Sequence, residues 1–449
     1  MNGLSRRQFL GGAAVGALTL PGRDLFGAAP PRRPKIAAVF TQMFELSHAY
    51  HIVEAHSAPY LFNGRLIDPG VDVVSWYVDQ FPPGDRDMAR EAGDRLGMPI
   101  YDTIAGALTL GGRELVVDGV LLIGEHGDYP RNDLGQQMYP RKEFFDQIVA
   151  VYRESGKTAP IFNDKHLSYR WDWAKEMYDT SREMGFAMMA GSSVPLAQRV
   201  PAFELEPGAD IAEAVSVHGG PLESYDFHAL EVLQSIVEAR RGGESGVSSV
   251  QVLAGDELMK AAQEGRWSYD LYRAALRAEA EHRDDTPDTP HPDELKPGHG
   301  ILLEYADGFR AASIKAGSSA VRWNFACRLQ GEQQPRATTF YPGPWGNRNL
   351  FRALSHAIQH LFITGRPAYP VERTLLVSGI LDVAMHSHHE GGVLKQTPEL
   401  EFAYEPIDFR AMRETGASWK VLTKDTPRPP RFDPGDLDTF PDLPVSPWS

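Results

Sequence analysis

The loop that follows an apolar stretch at residues 116–124 is rich in side chains that can do chemistry. It carries two carboxylates, an imidazole and a phenol: Glu125, Asp128, His126 and Tyr129. Carboxylates and imidazoles can bind a divalent metal, and all four groups can hydrogen-bond to hydroxyl groups. The positions are too close in sequence to give one clean pair of metal ligands. The loop therefore predicts binding of a carbohydrate-like substrate, and no residue is assigned to a metal.

A second group of polar residues follows another apolar stretch. Asp164 and His166 come after the stretch at residues 160–163. Parallel α/β sheets bind ligands beyond the carboxyl ends of their strands, so we expect both residues to contact the same substrate. A metal-assisted hydrolase or lyase centred on Glu125, His126 and Asp128 remains an alternative.

Apolar stretches alternate with helix-like stretches from residue 35 to residue 192. This alternation predicts an α/β domain with a Rossmann-like parallel sheet. From residue 193 to residue 415 the pattern changes, with helices early and late and three strand-like stretches between residues 300 and 329. It predicts an α+β domain with a large, mostly antiparallel open sheet. Residues 416–449 form a tail rich in Pro and Asp, which we expect to lie on the surface or to be disordered.

The N-terminus resembles a twin-arginine export signal. Arg6 and Arg7 precede Phe9 and Leu10, and a short apolar run follows. We expect residues 1–28 to be this signal and residues 29–34 to be a linker. The run is too short for an ordinary membrane span, and no second stretch approaches that length. The expected location is periplasmic or otherwise exported, and an ordinary secretory signal or a membrane anchor is the alternative.

The charge balance and the cysteine content exclude several classes of protein. The chain has 45 Lys and Arg against 60 Asp and Glu, a formal net charge of −15. An acidic chain is a poor partner for nucleic acid, which needs a basic surface. Cys327 is the only cysteine, so no intramolecular disulfide can form. We expect Cys327 to be a buried structural thiol.

The order of these segments resembles the glucose–fructose oxidoreductase and inositol dehydrogenase (Gfo/Idh/MocA-like) family. The resemblance lies in four stretches, at residues 92–102, 117–123, 163–166 and 375–401. It implies a dinucleotide-binding domain followed by a substrate domain. It also implies NAD or NADP as cofactor, a carbohydrate or polyol as substrate, and pairing of subunits through the open sheet into a homo-oligomer.

The resemblance also implies site residues. Lys165 stands where the family carries the lysine of a Glu-Lys-Pro turn, and His228 matches a histidine of the second domain. These two positions would move the hydroxyl proton and steady the developing oxyanion during hydride removal. The family's acid four residues before this histidine is replaced by Ser224, so we expect the nearby Asp226 to contact substrate.

The predicted cofactor site departs from the family pattern. The resemblance implies that Thr41, Ser47, Asp79 and Glu125 contact the cofactor. However, the turn at residues 42–48 contains no glycine, whereas a dinucleotide-binding turn uses glycines to bring backbone close to the pyrophosphate. An alternative is therefore a cofactor-free protein that binds a sugar on the same fold.

Overall fold

The computed structural model describes residues 32–283, 294–429, 432 and 436–448. The predicted signal at residues 1–28 and part of the predicted linker lie outside these residues. Within the described part of the chain, no helix is long and apolar enough to cross a membrane. Residues from Arg33 onward form one structural unit.

The first half of this unit alternates strands and helices. The elements are β1 (Lys35–Phe40), α1 (His48–Ser57), β2 (Tyr60–Phe62), β3 (Arg65–Ile67), β4 (Asp72–Val78), α2 (Ala89–Leu96), β5 (Ile100–Tyr101), α3 (Ile104–Thr109), β6 (Gly119–Ile123), α4 (Arg141–Ser155), β7 (Ile161–Asp164), α5 (Trp171–Met184) and β8 (Met188–Gly191).

Six of these strands form a parallel sheet in the order β5-β4-β1-β6-β7-β8. All five residues of β6 are buried, as expected for a central strand with helices on both faces. The carboxyl ends of β1, β4, β6 and β7 meet at one edge of the sheet. The segments that follow these strands carry most of the residues predicted to do chemistry.

The second half begins after β8. Its elements are β9 (Gln198–Val200), β10 (Ile211–His218), α6 (Asp226–Val237), β11 (Val247–Ala254), α7 (Gly255–Gln263), α8 (Tyr269–His282), β12 (Pro297–Tyr305), β13 (Arg310–Ala316), β14 (Trp323–Leu329), β15 (Arg336–Tyr341), α9 (Asn347–Thr364), α10 (Val371–His389), β16 (Lys395–Gln396) and β17 (Val445–Ser446).

Eight strands form the second sheet, in the order β16-β11-β12-β13-β10-β14-β15-β9. Only the β10–β13 pair is parallel, so the sheet is mostly antiparallel and the predicted fold class is confirmed. Helices α6 and α10 cover one face. Helices α7 and α8, with the turn between them, cover part of the other with Leu258, Trp267, Leu271 and Tyr272. This part of the face, which the resemblance would use for pairing of subunits, is packed against the chain's own helices.

The C-terminal segment packs onto the first half of the chain. Strand β17 pairs with β3, and β3 pairs with β2 in a small separate sheet. Phe432 and Phe440 are buried, although the composition of the segment predicted a surface tail. Helix α9 packs along α1, where Arg348 pairs with the buried Glu54 at 2.8 Å. These contacts fix α1, whose first turn faces the candidate site.

Candidate functional site

A buried ionic cluster lies at the carboxyl ends of β6 and β7. Lys165 Nζ is 3.0 Å from Glu125 Oε1, and the guanidinium of Arg141 donates to Glu125 Oε2. Arg141 also donates from Nε to the backbone oxygen of Asp164 at 3.2 Å. Burial raises the pKa of Glu125, but Lys165 and Arg141 lower it more, so its pKa lies well below the ordinary value. The carboxylate is therefore ionised and anchors both cations.

The backbone of Lys165 adopts an unusual conformation. Its φ is +64°, in the left-handed region that residues with a side chain rarely adopt. The Lys165 N–H donates to Gly191 O at 3.2 Å, which holds this conformation against the end of β8. Left-handed backbone at a non-glycine residue costs of order 1 kcal/mol and concentrates at functional sites. It turns the Lys165 side chain toward Glu125.

His48 brings the first turn of α1 into the same cluster. Its Nδ1 lies 2.6 Å from Asp164 Oδ2, and its ring packs edge-on against His126 and Phe351. Ser47 caps this helix by accepting a hydrogen bond from the Tyr50 N–H, so the helix begins at His48. The Asp164 carboxylate is thus held by an imidazole of another segment.

His228 lies on the first turn of α6, facing the cluster from the second half of the chain. Its Nδ1 is 2.6 Å from Ser192 Oγ, and its ring packs edge-on against Trp323 at 5.2 Å. Burial lowers the pKa of His228 well below 6.5, and the positive charge of Lys165 lowers it further. The imidazole is neutral, and its Nε2 has no hydrogen-bond partner among the described residues.

Two other predicted histidines line the cluster. Burial lowers the pKa of His126 to about 4, and the neighbouring His48 lowers it further. His166 is buried, with Nε2 3.5 Å from the Arg141 guanidinium. Burial and then Arg141 lower the pKa of His166 well below its ordinary value. Both imidazoles are therefore neutral.

The turn after β1 has its polar groups already engaged. The Thr41 hydroxyl donates to Glu125 O at 2.6 Å, and Ser47 Oγ accepts from the backbone of Phe44 and Tyr50. Both residues are fully buried in the protein alone. The prediction that Thr41 and Ser47 contact a cofactor does not fit this arrangement, because backbone groups and packing enclose both hydroxyls.

Asp79 is engaged by two tyrosines. Its oxygens accept from Tyr77 at 2.8 Å and from Tyr129 at 2.6 Å. The next residue, Gln80, exchanges hydrogen bonds with the backbone of Asp128. These contacts tie the loop after β6 to the end of β4. The Asp79 carboxylate is exposed and each of its oxygens can accept a second hydrogen bond, so Asp79 can still accept from a ribose hydroxyl while both tyrosines stay in place.

A cavity of about 510 Å³ opens between the ends of β1, β4 and β6. Its lining includes Gln42, Phe44, Gln80, Arg86, His126 and Asp128. The exposed Arg86 guanidinium stacks over the Phe44 ring at 4.3 Å. These side chains fit part of a nucleotide: Arg86 can bind phosphate, and the amides and Asp128 can bind ribose hydroxyls. A backbone cradle built by glycines is not present in this turn.

The geometry also bears on the predicted role of Asp226 and on the metal alternative. Asp226 is fully buried and accepts from His218, His299 and the Glu223 N–H, so it cannot contact a substrate in this arrangement. A metal centred on Glu125, His126 and Asp128 is also disfavoured, because the Glu125 carboxylate already binds two cationic side chains.

Several important residues were not predicted. His48, Arg141 and Ser192 lie far from Lys165 and His228 in sequence and join them only through the fold. Only weak sequence patterns point to two of these residues. Ser192 directly follows an apolar strand, and Ser47-His48 has the pattern of a helix start.

The two sheets define a class of protein, in which a parallel nucleotide-binding-type domain is joined to a domain with a large, mostly antiparallel sheet. GenD2 from gentamicin A biosynthesis, solved in complex with NAD, has a similar fold. It is 12% identical with a TM-score of 0.52, and the match covers 84% of this chain and 99% of that chain. A probable dehydrogenase from Thermotoga maritima is 10% identical with a TM-score of 0.50, covering 81% and 99%.

These similarities confirm the predicted fold. The chain has the fold of the glucose–fructose oxidoreductase and inositol dehydrogenase family, in strongly divergent form. No family model matches its sequence, and no curated protein matches it.

Proposed function

We propose that the chain is an oxidoreductase that removes a hydride from a hydroxyl-bearing carbon of a carbohydrate or polyol, with NAD or NADP as acceptor. The observation that carries this proposal is the buried Lys165 ammonium, held 3.0 Å from Glu125 at the strand ends and facing His228. A fixed cation beside a neutral imidazole suits the oxidation of an alcohol.

Lys165 and His228 have complementary roles in the proposed reaction. The Lys165 ammonium donates a hydrogen bond to the substrate oxygen and stabilises the negative charge that develops there. The Nε2 atom of His228 accepts the hydroxyl proton while Ser192 holds Nδ1. Bound NAD or NADP would supply the acceptor for the hydride that leaves the same carbon. Enclosure of the site limits access of water.

The remaining groups would bind and orient. Arg86, Gln42 and Gln80 are the residues that would hold the nucleotide, because they line the cavity at the strand ends. His126 and Asp128 line this cavity, and His126 also packs against His48 of the cluster, which suits binding of substrate hydroxyls. Glu125 and Asp164 act through the side chains that they hold, Lys165 and His48.

A second candidate function is supported by the turn after β1. A protein that binds a sugar without a cofactor would not need glycines there, and Ser47 Oγ already caps two backbone amides. In this alternative Lys165 would bind a hydroxyl or an anionic group of the sugar and carry out no chemistry.

We also propose that the protein is exported through the twin-arginine route. The paired arginines and the following apolar run support this proposal. A route that carries folded proteins suits an enzyme that binds its cofactor before export. A homo-oligomer would need a surface other than the part of the second sheet that α7 and α8 cover.

A substrate screen tests the proposed function. The purified protein is incubated with NAD⁺ or NADP⁺ and a panel of sugars and polyols, and the reduced nicotinamide is measured. We expect reduction with at least one carbohydrate or polyol. If the protein binds sugars but reduces neither dinucleotide, the cofactor-free alternative is favoured.

A further inference from the structure

We infer that His218, Asp226 and His299 form a binding site for a divalent transition-metal ion. This site is separate from the Lys165–Glu125 cluster, and the inference does not depend on the proposed oxidoreductase activity. The three residues come from three elements: the end of β10, the first turn of α6 and the start of β12. The fold therefore holds the ligands from different directions.

The distances between the ligand atoms suit a metal. Asp226 Oδ1 lies 3.0 Å from Nε2 of His218 and 3.0 Å from Nε2 of His299. The three ligand atoms all lie within 4.8 Å of one another. Ligands about 2.1 Å from a metal ion are separated by roughly 3–3.5 Å in octahedral or tetrahedral geometry. Only small side-chain shifts would be needed to admit an ion.

The charge of Asp226 supports the same conclusion. Among the described residues, no lysine or arginine pairs with this fully buried carboxylate. Six other buried carboxylates each pair with an arginine: Glu54, Glu125, Glu238, Glu244, Glu279 and Asp436. The buried Asp164 is contacted by one imidazole, whereas Asp226 lies between two. A buried anion needs a compensating positive charge, which a metal ion between the two imidazoles would supply.

The donor set indicates which ions would bind. Two imidazole nitrogens and one carboxylate suit Zn²⁺, Fe²⁺ or Co²⁺ better than Ca²⁺ or Mg²⁺, which prefer oxygen ligands. His299 is 14% exposed in its side chain, whereas His218 and Asp226 are fully buried. The approach to the site is therefore beside His299.

The proposed ion would connect to the candidate active site through α6. Asp226 and His228 share the first turn of that helix. Trp323 contacts both the proposed metal site and the candidate active site. Its ring stacks on His218 at 6.5 Å and packs edge-on against His228 at 5.2 Å. An ion that ties α6 to β10 and β12 would fix the turn that presents His228.

Metal titration of the full folded chain tests the inference. The protein is treated with a chelator, dialysed and titrated with Zn²⁺ by calorimetry and with Co²⁺ by visible absorption. We expect about one ion per chain and d–d bands typical of nitrogen and oxygen ligands. Absence of stoichiometric binding by either ion would overturn the inference.

Variants locate the ion. Asp226→Asn keeps the shape but removes the charge, and His299→Gln changes the most exposed ligand; each should weaken binding about 100-fold or more. His386→Gln is the control, because His386 is half exposed on α10 near two other histidines. Circular dichroism confirms folding, and His299→Gln decides the outcome if Asp226→Asn does not fold. Binding that survives His299→Gln, or that only His386→Gln removes, would contradict the site.

Discussion

Lys165 and Glu125 form a buried ion pair, with Nζ 3.0 Å from Oε1 and each side chain 8% exposed. The two residues follow neighbouring parallel strands, β7 and β6, so their closeness is a direct consequence of the sheet. A buried pair is weak support for stability, because desolvation of both charges opposes their attraction. Together with the left-handed backbone of Lys165, the pair is better explained by a need to position the ammonium.

Replacing Lys165 tests its role in turnover. Lys165→Met should lower kcat by about 10²-fold or more, because the variant cannot donate to the substrate oxygen. Arg141 remains to compensate Glu125, so the variant should still fold. Steady-state kinetics with the substrate found in the screen gives the measurement.

Lys157→Met is the matched control for this change. Lys157 is exposed and pairs with Glu114 on the surface, so both turnover and stability should stay close to those of the unchanged protein. A Lys165→Met enzyme with unaltered kcat would remove Lys165 from the proposed chemistry.

Replacing Arg86 tests the nucleotide cavity. Arg86→Ala should weaken binding of NAD or NADP about tenfold, because a charge-assisted contact with phosphate is lost. Arg90→Ala is the control, since Arg90 also stacks over a phenylalanine, Phe81, but does not line the cavity. Binding is followed by fluorescence of the reduced dinucleotide. Equal effects of the two substitutions would place the nucleotide elsewhere.

Two arginine–glutamate pairs should differ sharply in their contribution to stability. Arg373 and Glu238 are both buried, whereas Arg336 and Glu332 are partly exposed. Arg373→Met should lower the free energy of unfolding by about 3–5 kcal/mol, because it leaves a buried carboxylate without its cation. Arg336→Met should change it by less than about 1 kcal/mol. Denaturant unfolding of both variants gives the comparison. A loss of stability for Arg373→Met no larger than that for Arg336→Met would contradict the burial of the Arg373–Glu238 pair.

Buried histidines should make the fold sensitive to acid. Burial lowers the pKa of His56 to about 4, although its hydrogen bond to Ile52 O raises it slightly. The unfolded chain protonates near pH 6.5 and the folded chain near pH 4, so the unfolded state binds more protons between these values. The contribution of His56 is therefore complete above pH 6.5 and declines as pH falls toward 4, by at most about 3 kcal/mol.

His56→Gln should reduce this loss of stability. The free energy of unfolding is measured by denaturant unfolding near pH 7 and near pH 4.5. The difference between the two values is then compared among the variants. His386→Gln removes an exposed histidine and should leave that difference unchanged. The same difference in His56→Gln as in the unchanged protein would show that His56 is not buried and neutral.

The first sheet could be predicted from sequence because its strands are short apolar runs separated by amphipathic helices. The ends of helices were harder to predict where a single residue stops the helix. The sequence pattern over residues 47–62 is helix-like, but α1 ends at Ser57 because Pro59 disfavours helical backbone at Ala58. Helix α8 was not predicted, although Leu271, Tyr272, Ala275 and Leu276 are buried at helical spacing.

Only those site residues that directly follow a strand could be predicted from the sequence. Lys165, Glu125, Asp164 and His126 meet because parallel strands bring their ends together. The residues that hydrogen-bond to these side chains, such as His48 and Arg141, come from helices. The placement of those helices depends on tertiary packing, which the sequence pattern does not indicate. The roles of hydroxyl groups were hardest to predict, since Ser47 is used by its own helix cap and not by a ligand.

The most direct test of the proposed oxidoreductase function is whether the folded protein carries a nicotinamide dinucleotide. The purified protein is denatured, and the released small molecules are identified by mass spectrometry. The folded protein is then titrated with NAD(H) and NADP(H). The proposed oxidoreductase function predicts release or tight binding of one of these dinucleotides. Neither release nor binding of any of them would contradict the oxidoreductase proposal and leave a sugar-binding role on the same fold.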